Sequence, residues 1–302
     1  MSKTWLVTGS SRGLGLEIAK AILARGDRLV ATARSPGQLA ALVATGGDRV
    51  RAVALDVTDP AAARAAVEVA RAAFGRLDVV VNNAGYANVN SIEDVAEDDF
   101  RAQIETNFFG VVNVTRAALP VLRAQRAGHI IQISSIGGRG ATQGIAAYQA
   151  AKWAVGGFSE VLAREVGPLG VRVTVVEPGG MRTDWSGSSM RIDDIKPDYQ
   201  ATVGAFAAHM RGNPSASQSD AGKVARAVVG LADEPNPPLR LLMGSDAVFM
   251  ADLLGKARAQ EDAAWRALAV STDADGMPPF AETPTAQYLL SQQSAPAVPR
   301  AR

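Results

Sequence analysis

The chain has 302 residues, 47% apolar and 20% charged, a globular composition that excludes wholesale disorder and allows one large domain or two small ones. Its 31 basic and 30 acidic side chains leave a net charge of +1 with no dense block of one sign, so nucleic acid is not an expected partner. There is no cysteine, which excludes disulfides and thiolate chemistry, and only two histidines, His129 and His209, which removes most histidine-based metal designs.

No apolar run approaches the roughly 18 residues of a membrane span. The apolar stretch at Thr4–Val7 meets Gly9 and Arg12 too soon for a secretory signal, so a cytoplasmic location is expected. Thr4–Val7, Arg28–Ala33, Val50–Leu55, Val79–Asn82, Ile130–Ser134 and Val171–Glu177 read as strands. Most are nearly continuous apolar runs, as parallel strands covered on both faces require. Leu14, Ile18, Ala21 and Ile22 share one helical face, and Gly26 follows where a C-cap glycine belongs. Ser35-Pro36 and Asp59-Pro60 each offer an N-cap followed by a first-turn proline, and Gly75 closes the second of these helices. This alternation predicts an α/β fold with a doubly wound parallel sheet of about seven strands in three layers, helices on both faces.

Beyond Pro178 the alternation loosens. Residues 181–218, with Met181, Trp185, Met190, Phe206 and Met210 scattered among small polar groups, read as a substrate lid. A helix near Ser219–Ala232, a strand at Arg240–Met243 and a helix from about Asp246 to Ala269 complete a single domain over 1–270. Residues 271–302 carry five of the 15 prolines and read as an extended, disordered or surface-wrapped tail.

The first strand runs into Thr8-Gly9-Ser10-Ser11-Arg12-Gly13-Leu14-Gly15 and then a helix. Glycines there let main-chain N–H groups approach a pyrophosphate at the positive helix end, although a plain strand-to-helix turn has similar composition. No carboxylate ends the second strand, and Arg34 follows it directly. A cation at that place accommodates the 2′-phosphate of NADP, with Arg12 able to close on the same group, unless both arginines are merely solvated. Asp56-Val57 either anchors an adenine amino group or caps the approach to a helix. Asn82-Asn83-Ala84-Gly85 ends the fourth strand as a close ribose approach or a simple turn.

Tyr148 and Lys152 stand four apart on one helical face. A phenol with its ordinary pKa of about 10 is a poor proton carrier at neutrality unless nearby positive charge stabilises the anion. Ser135, 13 residues before Tyr148, lies just past the fifth strand. Each of these pieces alone occurs by chance.

Together, in this order on successive strand ends with Pro178-Gly179-Gly180-Met181-Arg182-Thr183, they resemble the single-domain short-chain dehydrogenase/reductase family with its Rossmann fold, over roughly residues 3–245. The resemblance implies that Tyr148 is the general acid–base, Ser135 polarises the carbonyl, and Lys152 holds the nicotinamide ribose and lowers the tyrosine pKa. It further implies that Asn107 holds a water of the proton relay and that Thr183 meets the nicotinamide carboxamide. The glycine loop (Gly9, Ser11, Arg12, Gly13, Leu14, Gly15), Arg34, Asp56, Val57, Asn83, Ala84, Gly85, Pro178 and Gly179 would bind the dinucleotide. One departure from the family pattern is Ala151, where many members carry serine.

The resulting expectation is an NADP(H)-dependent oxidoreductase, with NAD(H) as the alternative cofactor and no metal. It would interconvert a carbonyl and an alcohol on an apolar ketone, aldehyde, steroid-like or retinoid-like small molecule. A catalytically silent dinucleotide-binding sensor and a sugar-nucleotide epimerase are the rival readings. The intact Ser135, Tyr148, Lys152 and Asn107 argue against the first, and the glycine spacing and lack of a larger C-terminal domain against the second. By resemblance, helices around residues 98–125 and 144–166 would pair subunits into a homodimer or homotetramer.

Overall fold

A computed structural model describes residues 2–182, 190–212 and 218–293. The elements begin β1 (Thr4–Val7), α1 (Gly13–Ala24), β2 (Arg28–Ala33), α2 (Ala40–Gly46), β3 (Val50–Ala54), α3 (Pro60–Phe74), β4 (Val79–Asn82), β5 (Ala87–Val89), α4 (Glu97–Ile104) and α5 (Gly110–Gln125). They continue with β6 (Gly128–Ile133), α6 (Ala146–Val166), β7 (Val171–Pro178), β8 (Met181–Arg182), β9 (Met190–Ile192), α7 (Ala205–Gly212), β10 (Ser219–Asp220), α8 (Ala221–Gly230), β11 (Arg240–Met243), α9 (Ser245–Val270) and α10 (Pro284–Gln293).

Seven strands form one parallel sheet in the order β11-β7-β6-β4-β1-β2-β3. The order reverses between β1 and β4, and in such sheets a crevice opens outside the carboxyl ends of the strands at that switch. Side-chain alternation explains why the strands are mostly apolar. Trp5 and Val7 of β1 pack with Ile18 and Ile22 of α1 and Val224 and Val228 of α8 on one face. Leu6, between them, packs with Ala63 and Val67 of α3, Val114 and Leu122 of α5, and Leu162 of α6 on the other. Each face is covered, which gives the three layers expected.

Local signals act where they should, with one exception. Asp59 accepts from Ala61 N–H at 2.7 Å and caps α3, which ends at Gly75 in the left-handed region, φ +77°. Ser35 makes no capping bond, and Pro36–Leu39 is a single 3₁₀ turn ahead of α2. The helical stretch through residues 97–125 is interrupted by a π turn at Glu105–Phe109, which carries Asn107.

The described residues within 181–218 hold regular elements that their composition does not suggest. β9 pairs with β5 and β8 with β10, while α7 follows a π turn at Gln200–Gly204. Ala87, Val89, Ile145, Tyr148, Met190, Val203 and Ala207 form a third, small apolar cluster. By contact the chain divides into two compact units, Met1–Met250 and Ala251–Arg302, and the long helix α9 crosses the division. In the second unit the prolines do not prevent a helix. Pro284 is the first residue of α10, where a missing N–H costs nothing.

Candidate active site

The glycine loop is built by main-chain constraints. Gly9 and Gly13 lie at φ +68° and +55°, conformations that side chains resist. Gly15 cannot carry a side chain: a Cβ there would fall 2.2 Å from the Gly9 carbonyl oxygen and 2.4 Å from Asn83 Nδ2. Thr8 locks the neighbouring turn, its hydroxyl accepting from the N–H groups of Asn83 at 2.9 Å and Ala84 at 3.0 Å. Asn83 Nδ2 returns a bond to the Thr8 carbonyl at 2.9 Å. Helix α1 begins at this loop with no side-chain cap and no acidic residue in its first turn. No carboxylate of the helix's own first turn competes for its first N–H groups, as suits a phosphate-binding helix end.

A cavity of about 770 Å³ runs along the carboxyl edge of the sheet. Its loop end is lined by Gly9, Ser11, Arg12, Gly13 and Leu14, and by Arg34, Asp56 and Val57. Gly15 is buried behind it rather than lining it. Asp56 accepts from the Thr58 N–H at 3.0 Å and from its hydroxyl at 2.7 Å. These bonds, with the Arg34 charge as a lesser cause, hold its carboxyl below the usual carboxylate range. Asp56 therefore shapes the turn before α3, while Asp59 is the cap.

Further along the same cavity stand Asn83, Ala84, Gly85, Asn107, Ser135, Tyr148, Lys152, Pro178 and Gly179. Ser135, immediately after β6, accepts from Gly137 N–H at 3.0 Å. Tyr148 and Lys152 lie one turn apart on α6 and are both buried. Lys152 Nζ donates to the Ile133 carbonyl at 2.8 Å and sits 5.5 Å from the centre of the Tyr148 ring. Burial pushes the Tyr148 phenol up to about 12, against a smaller opposing effect of its hydrogen bond with Ser135. Burial likewise brings the Lys152 amine down to about 8. Burial thus outweighs the Ser135 hydrogen bond at the phenol.

Asn107 spends both Nδ2 hydrogens, on the Tyr86 carbonyl at 2.9 Å and the Gln103 carbonyl at 2.8 Å, and accepts from Tyr86 N–H at 3.2 Å. A Cβ on Gly85 would fall 2.5 Å from Asn107 Oδ1 and 3.7 Å from Lys152 Nζ, so these three groups are neighbours. The far wall is apolar, with Met181, Met190, Phe206 and Met210 beside Ile145. His209 also lines it. Thr183 and Trp185 lie outside the described residues. Sequence reasoning missed Thr8, the Ile133 carbonyl that holds Lys152, and Asp246, which lines the cavity from the start of α9. The position of Asp246 just past the carboxyl end of a sheet strand was the available signal.

The family model for short chain dehydrogenase matches residues 3–192. The chain belongs to the short-chain dehydrogenase family. It is similar to oxidoreductase BOA17 of Botryotinia fuckeliana, with 52% identity over 273 residues that cover 90% of this chain and 100% of that protein. Among solved structures of the family, a short-chain dehydrogenase from Streptomyces avermitilis superposes with a TM-score of 0.85 and 37% identity, over 91% of this chain and 99% of that one. An alcohol dehydrogenase from Thermococcus sibiricus, complexed with 5-hydroxy-NADP, does so with a TM-score of 0.67 and 26% identity, over 81% and 97%. This short-chain dehydrogenase is therefore an oxidoreductase with the family's parallel sheet.

Proposed function

We propose that this protein interconverts a carbonyl compound and its alcohol with NADP(H), and that its substrate is apolar. The observation that carries the reading is the convergence of Ser135, Tyr148 and Lys152 on the cavity that begins at the glycine loop. The uncapped end of α1, the two left-handed glycines and the cradle around Gly15 fit a dinucleotide pyrophosphate. A bound nicotinamide supplies or accepts the hydride.

The protein's part is placement and proton movement. Tyr148 gives its hydroxyl proton to the carbonyl oxygen in reduction and takes it back in oxidation. Ser135 donates to the same oxygen and orients it. Lys152, fixed by the Ile133 carbonyl, supplies a donor to the nicotinamide ribose and positive charge beside the phenol. Asn107 braces the Gly85–Tyr86 turn, and the remaining lone pair of Oδ1 is its means of holding a relay water.

Arg12 and Arg34 line the loop end, and no carboxylate terminates β2; both features support NADP(H) over NAD(H). The wall of Met181, Met190, Phe206 and Met210 supports a lipophilic substrate. Phe109, Trp153 and Val161 are exposed on the helical stretches that pair subunits in the family reading, and they support a homo-oligomer. No helix among the described residues is long and apolar enough to cross a membrane.

Turnover of a panel of ketones and aldehydes with NADPH and with NADH, on wild type and Arg34→Asp, tests the reading. Apolar carbonyls should be reduced with NADPH preferred, and the variant should lose that preference by about tenfold or more. An unchanged preference contradicts the cofactor assignment, and failure of every carbonyl contradicts the reaction.

A further inference from the structure

The short turn after β7 is held from a direction that the family motifs do not cover. β11 runs beside β7, with Met243 opposite Pro178. The chain then turns through Gly244, φ +103°, and enters α9. This brings the carboxylate of Asp246 against the Gly179–Gly180 main chain. Oδ2 accepts from Gly180 N–H at 2.7 Å, while Gly179 N–H donates to the Met243 carbonyl at 2.9 Å. Both amides of the turn are therefore committed to the β11–α9 corner.

The fit is tight enough to dictate sequence. A Cβ on Gly179 would lie 2.2 Å from Asp246 Oδ2, and one on Gly244 would lie 2.5 Å from Oδ1 and 2.4 Å from Ser219 Oγ. Neither position can hold a side chain while the carboxylate stays. Oδ1 is buried with no hydrogen-bond partner among the described residues. An unpaired buried carboxylate oxygen costs stability that an alanine or leucine would not forfeit. What the carboxylate holds lines the same cavity as Tyr148 and Ser135, together with Asp246 itself.

We propose that Asp246 is a positioning residue, whose carboxylate fixes the Gly179–Gly180 turn and thereby sets how the nicotinamide end of the dinucleotide faces Tyr148 and Ser135. This inference rests on reading the cavity as a nicotinamide site. A displacement of about 1 Å at such a turn is worth on the order of a hundredfold in rate.

The test measures NADPH binding by fluorescence titration, and kcat and KM for a reduced carbonyl, on wild type, Asp246→Ala, Asp246→Asn and Gly179→Ala. Asp246→Ala should lower kcat at least about tenfold with little change in carbonyl KM. Asp246→Asn keeps an oxygen acceptor for Gly180 N–H and should stay within about threefold of wild type, a rescue that loss of packing alone would not produce. Gly179→Ala pushes a methyl group into the carboxylate and should match or exceed the alanine loss. It keeps the test alive if Asp246→Ala does not fold. Wild-type kcat in Asp246→Ala or in Gly179→Ala, or equal damage in Asp246→Asn and Asp246→Ala, overturns the proposal. A wild type that binds no NADPH overturns the cavity reading and this inference with it; wild-type binding and turnover with unaffected variants overturn the inference alone.

Discussion

The amine of Lys152 lies 5.5 Å from the centre of the Tyr148 ring, one helical turn away, and is tied to the Ile133 carbonyl at 2.8 Å. The two groups share a buried environment that works against charge on both, lifting Tyr148 to about 12 and lowering Lys152 to about 8. A phenol held that high stays protonated near neutrality, so it carries the proton that reduction needs and offers almost no phenolate for oxidation.

One consequence concerns alcohol oxidation, which needs the phenolate. Tyrosine ionisation followed by ultraviolet difference spectra, wild type minus Tyr148→Phe, should show no Tyr148 phenolate through pH 10 in the protein alone. Saturation with the oxidised dinucleotide, whose ring carries positive charge, should bring the ionisation down into the assay range. A Tyr148 that ionises below pH 9 without dinucleotide would show that protein groups suffice.

Gly15 makes a sharper claim about the loop. Its Cβ would strike main chain at Gly9, which cannot yield without moving the whole turn. Gly15→Ala should cost about 1–3 kcal/mol of local overpacking and weaken dinucleotide binding at least about tenfold. Gly37→Ala, where a Cβ meets nothing within 4 Å, is the control and should bind as wild type. Equal affinity in both variants, read by fluorescence titration, would remove the cradle argument.

His129 contributes to the acid sensitivity of the fold. It is fully buried on β6, 3.0 Å from Thr174 Oγ1, and burial followed by the charges of Arg172 and Lys3 holds it down to about 3. The unfolded chain takes up a proton near pH 6.5 that the folded protein refuses until about pH 3. Its stabilising contribution is thus complete above pH 6.5 and falls as pH drops through that window, by about 1.4 kcal/mol per unit. Urea unfolding between pH 6 and 4 should show a shallower loss of stability in His129→Gln by about one proton. Parallel slopes would mean that the imidazole titrates alike in both states.

Much of this was legible before any coordinates. Strand limits followed from apolar runs, because strands of a sheet covered on both faces are mostly apolar. Asp59-Pro60 and Gly75 marked α3 because capping is a local interaction. Ser135, Tyr148 and Lys152 were readable only through the joint motif set and the family it resembles, since each piece alone occurs by chance. What escaped depended on contacts between distant segments. Asp246 meets Gly180 across 66 residues, and the Thr8 hydroxyl meets Asn83 across 75. The upward shift at Tyr148 also escaped, since composition shows a neighbouring lysine but not how far both groups are withdrawn from water. Ser35 failed as a cap because its side chain makes no bond to the following turn.

The most direct test of the account is rapid-mixing measurement of NADPH oxidation with a reducible apolar carbonyl, on wild type and Tyr148→Phe, alongside NADPH binding. Removing the hydroxyl should slow hydride transfer by about 10²–10⁴-fold while leaving NADPH affinity within a few-fold of wild type. Hydride transfer at the wild-type rate in Tyr148→Phe would contradict the assignment of the proton to this residue, and with it the mechanism.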